Sequence, residues 1–336
     1  MQSVVHLDDP TVAALVDAGA ADAAVASAFA AWGRGHASTS QRVRAGIDGV
    51  GMASAMAAVV PPYCGGKVYA THRGRFTFVN VLFGADGALL ATLDGDVITR
   101  LRTPAASALA IDHLAPDHAA VAAVIGTGRL AAAHLDMLRR TLPGLREVRV
   151  CGRRRSVAAD IAAGIATDEL TAIGTDDPVV AVEGANVIVT ITSARDPLFP
   201  SSAVGDDALI CAVGATKHDR AEIDPALVAR CATVVCDDVA GSRVECGDLI
   251  RAASAGFFDW ARAVELHDVA AGSANVAWAG DAPVLFETQG VAIQDVAVSA
   301  VAFERYVSCT SQLVPMFDDE HDTHDQPNIE DQEVTR

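Results

Sequence analysis

The sequence is poor in aromatic residues, holds no long apolar run and has no excess of positive charge. Aromatics make up 5% of its 336 residues and hydrophobic residues 51%, so the core must be built largely from Ala, Val and Leu, as in soluble α/β proteins. No apolar run approaches the ~18 residues of a membrane helix. The opening residues, MQSVVHLDDP, carry no basic n-region and no signal-like apolar stretch. A cytoplasmic protein without a membrane partner is therefore expected. Lys and Arg total 25 against 43 Asp and Glu, a formal net charge of −18, which argues against nucleic acid as a partner. Seven cysteines, an odd number, form no C-x-x-C pair; Cys151, Cys211 and Cys236 lie in apolar runs and read as buried thiols, not as a disulfide framework. Ten histidines show no H-E-x-x-H motif and no Cys/His cluster, so no metal site is expected.

The length predicts two domains. The most informative stretch runs from Val121 to Arg155. Val121–Ile125 reads as a buried parallel strand. Gly126, Thr127, Gly128, Arg129, Leu130 and Ala131 form a G-x-G-x-x-A loop, and Leu130, His134, Met137 and Leu138 fall near one face of a following helix. Glu147–Cys151 is a second strand. This is the context of the dinucleotide fingerprint: Gly126 allows the tight turn, Gly128 the approach of a pyrophosphate, and Ala131 close helix–strand packing. The phosphates would sit at the helix N-terminus, where free N–H groups face them.

NAD sites place an acid after the second strand, to hold the ribose 2′-hydroxyl. Here Gly152, Arg153, Arg154 and Arg155 stand in that region. Guanidinium groups attract a 2′-phosphate and can bind it bidentately, so NADP(H) is favoured over NAD(H).

Along the rest of the chain, Asp9-Pro10 caps a first helix with Gly19 as its stop, and a second helix covers 21–32. Gln41–Ile47, Ala53–Val60, a stretch from Gly65, Phe76–Phe83 and Leu89–Leu93 read as a largely antiparallel sheet with a turn at Asp86-Gly87. Thr103 reads as an N-cap with Pro104 the first helical residue, which sets Arg102 beside an anion-friendly helix start. After the fingerprint, Asn186–Ile191, Ala208–Val213 and Thr233–Cys236 extend the parallel sheet. Ligands sit beyond strand C-termini in such sheets, so Thr192, Ser193, Val213, Gly214, Ala215 and Thr216 fall near the cofactor. The expected architecture is a Rossmann-type, doubly wound domain at 116–290. An α+β substrate and dimerisation domain comprises 1–115 with 291–316, and a disordered acidic tail covers 317–336.

GGKVYA (65–70), RLRTPAASALA (100–110), VIGTGRLAAAHL (124–135) and GVAIQDVA (290–297) together resemble the ornithine cyclodeaminase/mu-crystallin family, with support from VGATKHDRAEID (213–224) and ECGDLI (245–250). The resemblance spans nearly the whole chain except the tail. It implies a nicotinamide-dependent enzyme on a Rossmann domain with a split substrate and dimerisation domain, hence a homodimer. The family's activities include cyclodeamination of ornithine or lysine, alanine dehydrogenation and reduction of imino acids. By the same resemblance Lys67 is the active-site lysine, Arg102 binds the substrate carboxylate and Thr103 touches cofactor phosphate. Arg42 matches an earlier carboxylate-binding arginine, with Arg44 the competing choice because the usual flanking proline is missing.

One departure bears on the reaction. Cyclodeaminases and alanine dehydrogenases of the family resemble V-G-x-D where this chain has Val213, Gly214, Ala215 and Thr216. Oxidative deamination needs a base, which a threonine hydroxyl does not supply at neutral pH. The expectation is an NADPH-dependent reductase of an imino acid, or a reductive aminase of a 2-oxo acid. The alternatives are an NAD-dependent cyclodeaminase or alanine dehydrogenase-like enzyme and, in another class, a mu-crystallin-like binding protein.

The arginines after the second strand yield the first prediction. Fluorescence titration should show tighter binding of NADPH than of NADH. Replacing Arg153 and Arg154 together by Ala should weaken NADPH by about one to a few kcal/mol, the scale of charge-assisted hydrogen bonds, and leave NADH nearly unchanged. Equal affinities in the wild type would reject the preference.

Overall fold

The computed structural model describes residues 4–276 and 280–311; the tail expected from residue 317 lies outside them. Asp8 opens α1 (Asp9–Leu15) by accepting from Thr11 N at 2.9 Å, and Asp17 opens α2 (Ala18–Gly33) by accepting from Ala20 N at 2.9 Å. Gly19 is thus inside the second helix; the first stops at Leu15, before the second cap.

The first sheet holds β1 (Val5–Leu7), β2 (Ser38–Thr39), β3 (Val43–Ile47), β4 (Gly51–Val60), β5 (Tyr63–His72), β6 (Arg75–Phe83) and β7 (Leu89–Asp94). Its order is β1-β7-β6-β5-β4-β2, with β3 also on β4; every pair is antiparallel except β1 with β7. Register sets the two faces, because side chains alternate along a strand. Val43, Ala55, Val68 and Val79 fall in one row on the outer face, and Met56, Lys67 and Asn80 in a row on the inner face. Arg42 and Arg44, flanking Val43, share the inner side.

Helix α3 (Asp96–Leu114) follows at once. Thr103 is not its cap. The helix starts seven residues earlier, with Gly95 at the cap position and Val97 N donating to Asp9 Oδ1 at 2.8 Å, and Pro104 lies inside it. A proline there costs a helix about 3 kcal/mol. Burial of nearly all of 102–111 offsets that.

The second sheet contains β8 (Val121–Ile125), β9 (Glu147–Cys151), β10 (Thr171–Thr175), β11 (Val187–Thr190), β12 (Leu209–Ala212), β13 (Thr233–Cys236), β14 (Ala263–Glu265) and β15 (Val284–Glu287). All its pairs are parallel, in the order β10-β9-β8-β11-β12-β15-β13-β14. Helices α4 (Ala131–Thr141), α5 (Arg155–Ile165), α6 (Pro178–Val182), α7 (Pro225–Arg230), α8 (Val239–Glu245), α9 (Gly247–Ser254) and α10 (Leu266–Ala271) connect or flank these strands. The chain runs outward from β8 to β10, then returns to β11 on the other side of β8. That makes a switch point between β8 and β11, the crevice where such sheets bind ligands. The fold is therefore α/β, a Rossmann-type doubly wound sheet beside a largely antiparallel one. The last helix, α11 (Ala292–Ser311), packs on α2, α3, β4 and β5 of the first sheet. Among the described residues no single helix is long and apolar enough to cross a membrane.

Buried carboxyls brace the C-terminal edge of the parallel sheet. Glu222 accepts from Thr190 Oγ1 (3.0 Å), Thr192 N (2.6 Å) and Gly214 N (2.7 Å), tying the ends of β11 and β12 together. Asp248 Oδ1 accepts from the amides of Glu222 and Ile223, both at 2.7 Å. Asp237 accepts from Thr288 Oγ1 at 2.5 Å and Gly290 N at 2.7 Å. Glu287 is fully buried, and neither of its oxygens has a hydrogen-bond partner among the described residues. Burial pushes Asp237 up to about 6, Asp248 up to about 7 and Glu287 well above the carboxylate range.

These groups hold their protons to higher pH in the fold than in the unfolded chain, whose carboxyls titrate near pH 4. The fold therefore loses stability as pH rises from that value through about 7. Scanning calorimetry should show the melting temperature falling between about pH 5 and pH 8. Glu287→Gln, which cannot ionise, should flatten that fall and gain several degrees at the alkaline end. A variant as pH-sensitive as the wild type would contradict this.

Candidate active site

Three elements meet around Lys67. It projects from the inner face of β5, 1% exposed, and Nζ donates to Thr99 Oγ1 at 2.7 Å and Asp295 Oδ1 at 2.9 Å. The Thr99 hydroxyl donates to Gly95 O at 2.7 Å, so its oxygen is left to accept from the ammonium. The ammonium also stands 4.4 Å from the centre of the Phe78 ring. Burial pulls the Lys67 pKa down to about 8; Asp295 opposes the fall, and Arg102 and Arg42 add to it. Lys67 is thus charged at neutral pH but releases a proton far more readily than a solvated lysine.

Arg102, one turn after Thr99 on α3, donates from Nη1 to Gln294 Oε1 at 2.8 Å, and its Nε lies 3.5 Å from Asp295 Oδ1. Gly290 takes φ +80°, which favours glycine, and a Cβ there would stand 2.6 Å from Arg102 Nη1 and push the guanidinium from its place. Arg42 donates to Glu245 Oε2 and to the carbonyls of Gln289 (2.9 Å) and Gly290 (2.7 Å). Arg44 takes the other oxygen of Glu245, with Nη2 3.4 Å from Thr216 O. One buried carboxylate on α8 thus draws Arg42 and Arg44 from the first sheet to the second.

Buried polar atoms without partners gather here: both side-chain atoms of Asn80, Arg42 Nε, Arg102 Nε, Gln294 Nε2, Gln289 Nε2 and Asp295 Oδ2. Leaving such atoms unpaired costs about 1–3 kcal/mol each, so their concentration suits a polar ligand. Asn80, Glu245, Gln294 and Asp295 were not assigned roles from the sequence. The last three stand inside segments that carried the family resemblance, but what they face depends on strands and helices far away in the chain.

The cofactor region lies along the parallel sheet. Ile125, Cys151, Thr190 and Ala212 are aligned by register, so the turns at 126–130, 152–154, 191–193 and 213–216 emerge side by side. Gly126 has φ +134°, and a Cβ there would stand 2.5 Å from Ile191 O. At Gly128 a Cβ would meet no atom within 4 Å, and no side chain caps the first turn of α4. These features leave open backbone N–H groups and room for a pyrophosphate. Thr127 closes on Gly152, where a Cβ would stand 2.5 Å from its methyl. Leu130 occupies the cap position of α4, and Arg129 pairs with Asp96 at the start of α3. Arg153 and Arg154 are exposed and make no ion pair among the described residues.

The remaining positions vary. Thr192 Oγ1 accepts from Ala194 N at 3.0 Å, Ser193 is exposed, and Val213 is buried at the end of β12. Thr103 is buried in mid-helix with its hydroxyl given to Thr99 O at 2.8 Å, away from any helix terminus. His134 is fully buried with Nδ1 on Leu130 O at 2.9 Å, and burial pulls it down to about 4, which makes it a neutral packing group.

A phosphate-ready turn at a switch point, facing a buried lysine among arginines, is the layout of a Rossmann-type oxidoreductase. Comparison narrows the class. A family model described as the ornithine cyclodeaminase/mu-crystallin family matches residues 7–310, and the chain belongs to that family. It is 35% identical to the iminosuccinate reductase of Paracoccus denitrificans over 231 residues, 66% of this chain and 68% of that protein. It is 30% identical to the ketimine reductase mu-crystallin of Rattus norvegicus over 224 residues, 67% of each chain. Among solved structures, an archaeal alanine dehydrogenase dimer with bound NAD superposes with a TM-score of 0.86 and 26% identity, covering 91% of this chain and 97% of that one.

Proposed function

We propose that the protein is an NADPH-dependent reductase of imino acids, acting on a preformed cyclic or linear ketimine or on one formed from a 2-oxo acid and an amine. The observation that carries this reading is Lys67: a buried ammonium brought down to about 8 and ringed by two arginines and one carboxylate. The names of the two reductases to which the chain is similar support it. So does Thr216, a hydroxyl in the loop where a deaminase would need a base.

The nicotinamide cofactor, when bound, supplies the hydride. The protein does the rest. Arg102, with Arg42 or Arg44, orients the substrate carboxylate through charge-assisted hydrogen bonds. Lys67 Nζ delivers a proton to the imine nitrogen as the carbon is reduced. Asp295 keeps Lys67 charged beforehand and stabilises its position. Thr216 donates at most one neutral hydrogen bond or holds a water. Exposed Arg153 and Arg154 support NADP(H) over NAD(H).

A homodimer joined through the antiparallel sheet belongs to the same proposal. Val43, Val68 and Val79 are exposed in one row on its outer face, an apolar patch of the kind that marks association surfaces. Light scattering at micromolar concentration should give twice the chain mass; a stable monomer would reject the dimer.

The chemistry is tested by NADPH oxidation across cyclic and linear imino acids. Lys67→Ala should lower kcat by ~10²–10⁴-fold, the usual contribution of a general acid, with NADPH affinity held within a few-fold. Activity should fall as pH rises through about 8. Asp295→Asn should move that limb to lower pH, because Asp295 is what raises the lysine. Robust ammonia release from ornithine or lysine, without turnover of any imine, would overturn the reductase reading.

A further inference from the structure

The inner face of the antiparallel sheet is closed on one side of Lys67 and open on the other. Asn80 pairs with inward-facing Lys67, and side chains alternate along a strand, so Leu82, Asn80, Phe78 and Phe76 form the inner row of β6. Their exposure rises in that order. Leu82 is 0% exposed and Asn80 1%, Phe78 is half-buried, and Phe76 is 47% exposed. Tyr69 lies two residues past Lys67 on β5, opposite Phe78, and is half-buried on the same face.

The three rings form one cluster in a chain with only ten Phe, three Tyr and three Trp. Ring centres are 5.4 Å apart for Tyr69 and Phe78 and 6.5 Å for Tyr69 and Phe76. Phe76 and Phe78 stand 5.7 Å apart with their planes 8° from parallel. The cluster reaches both halves of the candidate site. Lys67 Nζ is 4.4 Å from the centre of the Phe78 ring, and the guanidinium of Arg129, in the glycine turn, is 5.5 Å from it. Aromatic surface thus extends from the buried ammonium along the face turned to the Rossmann domain. Association of two copies through the outer face would leave it in water, where apolar area is unfavourable. A ligand ring packed on these rings would cover it, and parallel or tilted ring pairs add to the gain from area alone. A methyl side chain held beside Lys67 would cover little of it.

We propose that the substrate is an imino acid whose side chain ends in an aromatic ring. Its imine lies at Lys67 with its carboxylate on the arginines, and its ring packs against Tyr69, Phe76 and Phe78. The assignment rests on the reductase reading and adds the side chain that the site selects. The reaction is the one given above: the imine carbon gains a hydride, its nitrogen gains the Lys67 proton, the C=N double bond becomes a single bond, and NADPH is oxidised to NADP+. Lys67 recovers its proton from water.

The test compares NADPH oxidation by the full-length protein with imines formed in place, at one methylamine concentration, from phenylpyruvate, 4-methyl-2-oxopentanoate and pyruvate. The kcat/KM for the phenylpyruvate imine should exceed that for the pyruvate imine about tenfold or more, the scale of burying one ring, with the branched alkyl imine between them. Phe76→Ala should lower the ratio of aryl to methyl kcat/KM about tenfold, chiefly through KM, and Phe76→Trp should keep it. Phe76 is exposed and away from the Lys67 hydrogen bonds, so neither variant removes a buried contact of the lysine. Imines of pyruvate turned over as well as those of phenylpyruvate, or Phe76→Ala slowing all three alike, would overturn the proposal while the reductase reading stands. Calorimetry of L-phenylalanine against L-alanine, with the protein saturated by NADP+, reads the ring without turnover. Tighter binding of phenylalanine, lost in Phe76→Ala, supports the aromatic subsite even if no imine is reduced, and equal binding of the two amino acids refutes it.

Discussion

The ion pair between Lys67 and Asp295 is the constraint on which most of the structure depends. Removing an ammonium and a carboxylate from water costs several kcal/mol per ion, which only close pairing and further hydrogen bonds repay. Both partners are almost wholly buried, 1% and 0% exposed, and they come from opposite ends of the chain. Lys67 belongs to the middle of the first sheet. Asp295 arrives only after the entire parallel sheet has been completed, on the first turn of α11. The last helix must therefore return to the first sheet, and Arg102 on α3 and Gln294 on α11 are held beside the pair when it does. The same burial that makes the pair costly brings the lysine to a proton affinity useful near neutral pH.

A second junction works on the same principle. Glu245 is the last residue of α8, one of the helices beside the parallel sheet, and takes Arg42 and Arg44 from the first sheet, one on each oxygen. Asp237 in turn fixes Gly290, whose carbonyl accepts from Arg42 and whose missing side chain makes room for Arg102. In a strongly acidic chain the few buried cations are thus gathered where the two sheets meet. The carboxylates around them are spent on backbone amides or arginines, or stay protonated. Structural bracing and site electrostatics are here one set of contacts.

Much of this was legible locally. The strands Val121–Ile125 and Glu147–Cys151 match their expected bounds: the first is a continuous apolar run that the glycine turn stops, and the second alternates charged Glu147 and Arg149 with buried Val148, Val150 and Cys151. The antiparallel strands of the first sheet were legible from alternation and from turn residues. Thr103-Pro104 misled because a cap is a local pattern, whereas the true start of α3 is satisfied by Asp9, 88 residues away from Val97. The strand Val284–Glu287 was not foreseen: it is four residues long, ends in a carboxylate, and its neighbours in the sheet, β12 and β13, lie far earlier in the chain.

By itself the sequence determined the chemistry of the parts: a dinucleotide turn, an acidic surface, two arginines two residues apart, a lysine after a glycine pair. These follow from periodicity, backbone freedom and charge, all short-range properties of the chain. Tertiary structure alone decided which charges face one another. It gave Lys67 to Asp295, both arginines to Glu245, and an unpartnered place in the core to Glu287, because burial and pairing energies depend on distances between segments that no local pattern encodes.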